Sequence, residues 1–308
     1  MRRCEAGRSF VCGRWSAAAG FAFLLFLIAV TFPGHSRADG LLMKTNSDTL
    51  LHHVSTEVRV TIDEQVAVTV VDFTFQNTLG TDSVWVKFAF PVPEKAVVTD
   101  FGIYKNDQIW FYKISATDTA HGNQGVPHGD TRLQEYLGPN PFVIPVKIGE
   151  GLARFRLKYV QVADYVDGFN VYSYPLDTKE ITTAPLDSFA FDLFLTSSHQ
   201  ILEAECTSHP GYTFQVQGTT ASLLFSSSLF PADKDVVVRY RLEQSDIEAT
   251  VYSYRVPSDP RDSAGYFAVV FRPPSLEHAQ VLPKYFAFII DKSGSMALDR
   301  LAYAKEAA

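Results

Sequence analysis

The sequence predicts a mainly β protein: an antiparallel β-sandwich, a second β-rich segment, and then the first strand and helix of an α/β domain. Three observations lead there. From Leu51 onward, apolar and polar residues alternate in short runs separated by turn residues. Phe (24) and Tyr (14) are abundant beside Val, Ile and Thr, the stiff side chains that pack well on a pleated surface. Near Tyr285 the period changes, and an unbroken apolar run replaces the alternation. A chain of 308 residues with 46% hydrophobic content suggests about two domains of roughly 150 residues each and argues against disorder. The net charge of −7 leaves no electrostatic footprint for nucleic acid.

The first element is a targeting segment, residues 1–38. Arg2, Arg3, Arg8 and Arg14 form a basic region, the apolar run 17–32 follows, and Ser36-Arg37-Ala38 offers the small residues a signal peptidase reads. Cleavage is expected after Ala38. The other reading is an uncleaved anchor, because the apolar run approaches the roughly 17 residues needed to span a bilayer. In both readings the rest of the chain is exported, as a secreted, periplasmic or cell-surface protein. Cys4 and Cys12 fall in this segment, which leaves Cys206 without an internal disulfide partner and reads it as a small, half-buried apolar residue.

Strands then follow one another. Val54, Thr56, Val58, Val60 and Ile62 alternate with polar residues, as do Val66, Val68, Val70, Phe73 and Phe75, and the turn Asp63-Glu64-Gln65 makes them a hairpin. Residues 84–90 form the next strand, ended by Pro91 and Pro93, since proline removes a ladder donor. Residues 97–104 and 108–114 flank the turn Lys105-Asn106-Asp107. The rhythm breaks at 115–131, where 116–121 suggest a short helix and 122–129 a loop. Strands resume at 142–148, 153–160 and 169–174. Many short strands with regular turns indicate a sandwich, expected over residues 42–176. A second β-rich segment, 185–274, supplies strands at 189–195, 213–216, 221–225, 236–242, 248–254 and 265–271.

Residues 284–308 have another grammar. Tyr285-Phe286-Ala287-Phe288-Ile289-Ile290 suits a strand buried on both faces of a parallel sheet, and Leu298, Leu301, Ala302 and Lys305 follow at helical spacing. The turn between them is Asp291-Lys292-Ser293-Gly294-Ser295-Met296. One carboxylate and two hydroxyls, each two residues apart, leave the carboxyl end of that strand, where open α/β sheets place their ligands. Hard oxygen donors suit Mg²⁺, Mn²⁺ or Ca²⁺. Ser295 is equally suited to cap the helix.

Residues 286–296 resemble the opening of the von Willebrand factor type A (VWA) domain with its metal-ion-dependent adhesion site. The resemblance implies that Asp291, Ser293 and Ser295 take part in a metal site, the Asp often through water. The family completes the site with a Thr and a second Asp from later loops, positions that do not occur within residues 1–308. A second resemblance precedes it: from Leu51 to about Leu176 the chain looks like the vault/inter-α-trypsin (VIT) domain. It is carried by residues 66–77 (Val-Ala-Val-Thr-Val-Val-Asp-Phe-Thr-Phe-Gln-Asn), by 86–97 around Phe90-Pro91-Val92-Pro93, by 133–148 with Asn140-Pro141-Phe142, and by 155–159 leading to Tyr174-Pro175-Leu176. Residues 112–131 depart from the family's more regular Ala/Glu-rich stretch. The order signal peptide, VIT, VWA is that of inter-α-trypsin inhibitor heavy chains and of bacterial secreted or surface proteins.

Other polar groups read as structure. His121, His128 and Asp130 fall in a loop without a rigid scaffold for a metal. His52-His53, ahead of the first strand, are expected to be solvated in the same way. Asp63-Glu64 and Asp233-Lys234-Asp235 read as hydrated turn residues. No nucleophile elbow, zinc-protease helix or phosphate loop occurs, so no enzymatic activity is expected. The expectation is an extracytoplasmic adhesion or protein-interaction protein whose VWA site holds a divalent cation and takes an acidic residue of a protein partner. The alternative is a structural component of the cell envelope without regulated partner binding.

Overall fold

The alternation read in residues 54–75 becomes a long hairpin. β2 (His52–Asp63) and β3 (Val66–Asn77) pair antiparallel, from Asp63 opposite Val66 to His52 opposite Gln76. The turn holds two residues, Glu64 and Gln65, with Glu64 at φ 53°. The computed structural model describes residues 39–45, 49–78, 83–114, 136–138, 141–243, 248–254 and 265–272. The expected metal loop with Asp291, Ser293 and Ser295, the expected helix after it, the expected leader and the loop histidines His121 and His128 lie outside these residues.

Two short strands flank the hairpin: β1 (Leu41–Lys44) before it and β4 (Ser83–Pro91) after it. β5 (Ala96–Lys105) and β6 (Gln108–Phe111) then form a tight hairpin through Asn106 and Asp107, both left-handed at φ 49° and 60°. Such a turn matches the right-handed twist of its strands. β7 (Pro141–Gly149), β8 (Gly151–Val162), β9 (Asp164–Val166) and β10 (Phe169–Tyr174) follow. The second segment supplies β11 (Leu186–Thr196), β12 (Ile201–Cys206), β13 (Gln215–Gln217), β14 (Thr220–Phe230) and β15 (Val236–Leu242). β16 (Glu248–Tyr254) and β17 (Tyr266–Arg272) make a separate antiparallel pair.

An eight-stranded sheet in the order β13-β14-β11-β2-β3-β8-β5-β6 forms one layer. The opposing layer is split. A three-stranded sheet, β1-β4-β7, covers one half, where the Phe88 ring lies 5.3 Å from Phe73, 4.9 Å from Phe101 and 5.5 Å from Phe155. A four-stranded sheet, β12-β15-β10-β9, covers the other, with Tyr174 tilted against Phe191 at 6.4 Å and the Tyr172 hydroxyl 3.0 Å from Thr69 Oγ1. Tilted ring pairs of this kind add to the stability gained from burying apolar area. One buried apolar cluster extends through both halves.

Among the described residues, all strand pairings but one are antiparallel. β11 runs parallel to β2, with Phe191 opposite Val58, so the sandwich is not purely antiparallel. β10 also pairs with β15. The strands β1–β10 and β11–β15 therefore share two sheets and one core, while β16 and β17 form a sheet of their own, and the connection 175–185 passes from one layer to the other. β1, β9 and β12 are additions to the strands read from the sequence, while the remaining strands fall within a few residues of the expected positions.

Candidate functional site

Among the described residues, no group of three or more His, Cys, Asp or Glu side chains is arranged to hold a metal ion. The chemistry-bearing groups that the fold does gather are three carboxylates, Asp39, Asp72 and Glu64.

Asp39 is fully buried between the layers. Its Oδ2 accepts from Thr56 Oγ1 at 2.6 Å, and its Oδ1 accepts from the Tyr174 hydroxyl at 2.7 Å and the Gly40 amide at 2.9 Å. Thr56 has one proton and gives it to Asp39, so His53 Nε2, 2.9 Å from Thr56 Oγ1, acts as donor to that hydroxyl. His53 Nδ1 lies 3.9 Å from Asp39 Oδ2, and the imidazole stacks on Phe75 at 4.4 Å. Burial pushes the Asp39 carboxyl up and the His53 imidazole down, each toward its neutral form. This corrects the expectation that His53 is a solvated histidine ahead of the strands. A bulge between His53 and Ser55 breaks the alternation and turns the ring inward. His52 is the exposed member of the pair, 3.4 Å from Asp187. The Asp39, His53 and Thr56 array resembles a nucleophile with its base, yet Thr56 has no exposed surface and cannot meet a substrate.

Asp72 sits on the opposite face of β3. Arg156 holds it with two parallel bonds of 2.7 Å, the Tyr104 hydroxyl donates at 2.9 Å, and Arg59 pairs with Oδ2. Arg154 lies over the Tyr104 ring at 4.4 Å. Burial alone would raise the Asp72 carboxyl, but the Arg156 and Tyr104 hydrogen bonds and the two guanidinium charges hold it below the usual carboxylate range.

Glu64 occupies the β2–β3 turn. Its carboxylate accepts from the Ser198 amide at 2.5 Å, the Ser198 hydroxyl at 2.6 Å and the Ser197 hydroxyl at 2.9 Å. Its own carbonyl accepts from Tyr240 at 2.6 Å. Burial opposes ionisation, but these bonds and the Arg272 charge outweigh it and lower the acid's pKa. Asp63-Glu64 is thus a turn as expected, but Glu64 is buried rather than hydrated. Asp235 is also a structural acceptor, from the amides of Leu176 and Asp177. Cys206 is buried and free, and burial pushes its thiol up.

The β2–β3 turn also anchors the last hairpin, because the Tyr252 hydroxyl donates to the Asp63 carbonyl at 2.8 Å. The register puts Tyr252 and the buried Arg272 on one face of that hairpin and Val251, Phe267, Val269 and Phe271 on the other. On this second face Phe267 is 78% exposed and Phe271 70%.

Comparison with known proteins bears on the first half of the chain. The family model of the vault protein inter-alpha-trypsin domain, VIT, matches residues 53–149. The match spans β2 to β7, which includes the hairpin and two strands, β4 and β7, of the three-stranded layer over it. No curated protein sequence matches the chain. Among solved structures, a candidate nutrient binding protein from Legionella pneumophila overlaps 67% of this chain and 72% of its own at 16% identity, with a TM-score of 0.47. The M1 zinc metallopeptidase of Deinococcus radiodurans overlaps 68% of this chain and 45% of its own at 12% identity, with a TM-score of 0.35.

Proposed function

We propose that the chain is the exported scaffold of an adhesion or protein-interaction molecule. In this reading the VIT sandwich is a rigid support, and Asp291, Ser293 and Ser295 contribute to a VWA-type site for Mg²⁺, Ca²⁺ or Mn²⁺. The observation that carries it is the order of parts. A VIT match at residues 53–149 precedes a strand-like apolar run, 285–290, that ends in Asp-Lys-Ser-Gly-Ser. The donor set fits a hard cation, because one carboxylate and two hydroxyls offer only oxygen. The cation would attract an acidic side chain of a protein partner, and the N-terminus of the following helix would favour the same negative charge.

Titration of the protein with Mn²⁺ or Mg²⁺ tests the site. Asp291→Ala is expected to weaken binding at least about 10-fold while the unfolding curve of the sandwich stays unchanged. Equal binding by both proteins would remove the metal assignment. Partner capture separates adhesion from an envelope-structural role. Adhesion requires that both chelation and Asp291→Ala abolish capture, whereas capture that survives both supports a structural component.

A further inference from the structure

The proposed leader ends at Ala38, and the next residue, Asp39, has no exposed surface. Gly40, which follows, is pressed so closely against the core that an added Cβ would stand 2.8 Å from Phe73 Cε1. The residue that processing would make the new N-terminus is therefore built into the centre of the sandwich. We propose that the Ala38–Asp39 bond is a processing site whose cleavage completes the core, because the α-ammonium it creates becomes the counter-charge of the buried Asp39 carboxylate. This rests on the exported reading given above.

The charge around Asp39 is unbalanced among the described residues. A buried carboxylate needs a cation or must give up its charge. Asp39 receives hydrogen bonds from two hydroxyls and one amide, all neutral. The ionisable base beside it, His53, is itself driven toward its neutral form by burial against Phe75. Among the described residues, the other groups that act with it are Tyr159 from β8, Tyr174 from β10 and Tyr136, whose phenols are raised by burial and by the Asp39 charge. His52 acts on His53, while Asp177 and Asp235 act on Tyr136 and add no positive charge. Tyr136 is 2% exposed, and among the described residues its hydroxyl has no hydrogen-bond partner, so a group able to donate or accept is left unpaired in the same buried region.

Hydrolysis of the Ala38–Asp39 peptide adds water across that bond. Ala38 leaves with the new carboxylate, and Asp39 keeps an amine that is protonated at neutral pH. Covalent geometry holds this nitrogen within about 5 Å of its own side-chain carboxylate. At that separation, opposite charges in a desolvated site each favour the charged form of the other. The ammonium also brings three donors where the peptide had one. A peptide nitrogen at this place is neutral and carries one proton, so it supplies neither the charge nor the additional donors.

The test begins with the intact mass of the exported protein. A chain starting at Asp39 is expected, and any other N-terminus overturns the processing site. The pairing is tested separately on a chain released from a fusion so that it starts at Asp39, which works whether or not the host cleaves there. Its thermal unfolding is compared with that of a chain carrying one extra Gly before Asp39. The α-amine of the first chain should have a pKa raised above the ordinary value of about 8. The stabilisation is then full below pH 8 and is lost as pH rises through the raised value. The Asp39-first chain should melt at least about 4 °C higher at pH 7, and the gap should close by about pH 10.5. Asp39→Asn in both chains should erase the gap, and NMR titration of the α-amine reads the same pairing without reference to stability. Equal melting at every pH, or an α-amine with an ordinary pKa, overturns the pairing.

Discussion

Asp39 and Asp72 are both buried aspartates bonded to a side chain of β2, Thr56 and Arg59 respectively, and their surroundings push them in opposite directions. Asp39 faces the inner side, among phenylalanines and hydroxyls, and its carboxyl is raised. Asp72 faces the outer side of β3, where Arg156, Arg59 and Tyr104 converge, and its carboxyl is lowered. Burial acts on both. The difference is the presence of guanidinium groups, which reach Asp72 from β2 and β8 because their alkyl stems lie along the sheet while their heads stay near water. The inner side admits no such side chain, since the opposing layer fills the space with rings.

The contrast is broken most severely at Asp39. Asp39→Ala would leave the Thr56 and Tyr174 hydroxyls without their acceptor in a dry core, at a cost of about 3 kcal/mol, and urea unfolding is expected to show it as a lower midpoint with unchanged slope. On the outer side, Arg156→Ala removes a bidentate partner from Asp72 and is expected to cost about 2 kcal/mol. Arg59→Ala, at a more exposed pair, should cost less than half of that. The smallest effect sharpens the comparison by pH. Because Asp72 is depressed, its stabilisation is full above the unfolded carboxylate value of about 4 and is lost as pH falls through the folded value. Asp72→Asn should flatten that acid limb by about 1 kcal/mol or less. An unchanged acid limb would show that Arg156 and Arg59 do not set the carboxylate's charge.

Much of the sandwich was legible because its signal is local. Val58, Val60 and Ile62 alternate with Glu57, Arg59 and Thr61, and the buried face follows that alternation without exception. Strands whose environment breaks the pattern were not legible. In β1, Leu41, Leu42 and Met43 are all buried because apolar residues cover both sides of its sheet. In β12, a bulge between Ile201 and Glu203 disturbs the period. His53 was misread for the same reason, since a bulge turned it inward. Nothing in the sequence marks Asp39 or Asp72 as special, because their partners Tyr174 and Arg156 lie 135 and 84 residues away. The proposed metal loop, residues 291–296, is the reverse case: it rests on the sequence alone and lies outside the described residues.

The sequence by itself determined the β class, most strand positions, the turns and the Asp291, Ser293 and Ser295 motif, since propensity, alternation and spacing act over a few residues. Tertiary structure decided which strands meet. The parallel pairing of β2 with β11 and the pairing of β10 with β15 merge two stretches into one core, and they place Asp39 inside it and Asp72 on its outer face. Such pairings follow from burying the apolar faces of whole sheets against each other, a requirement that no local segment carries.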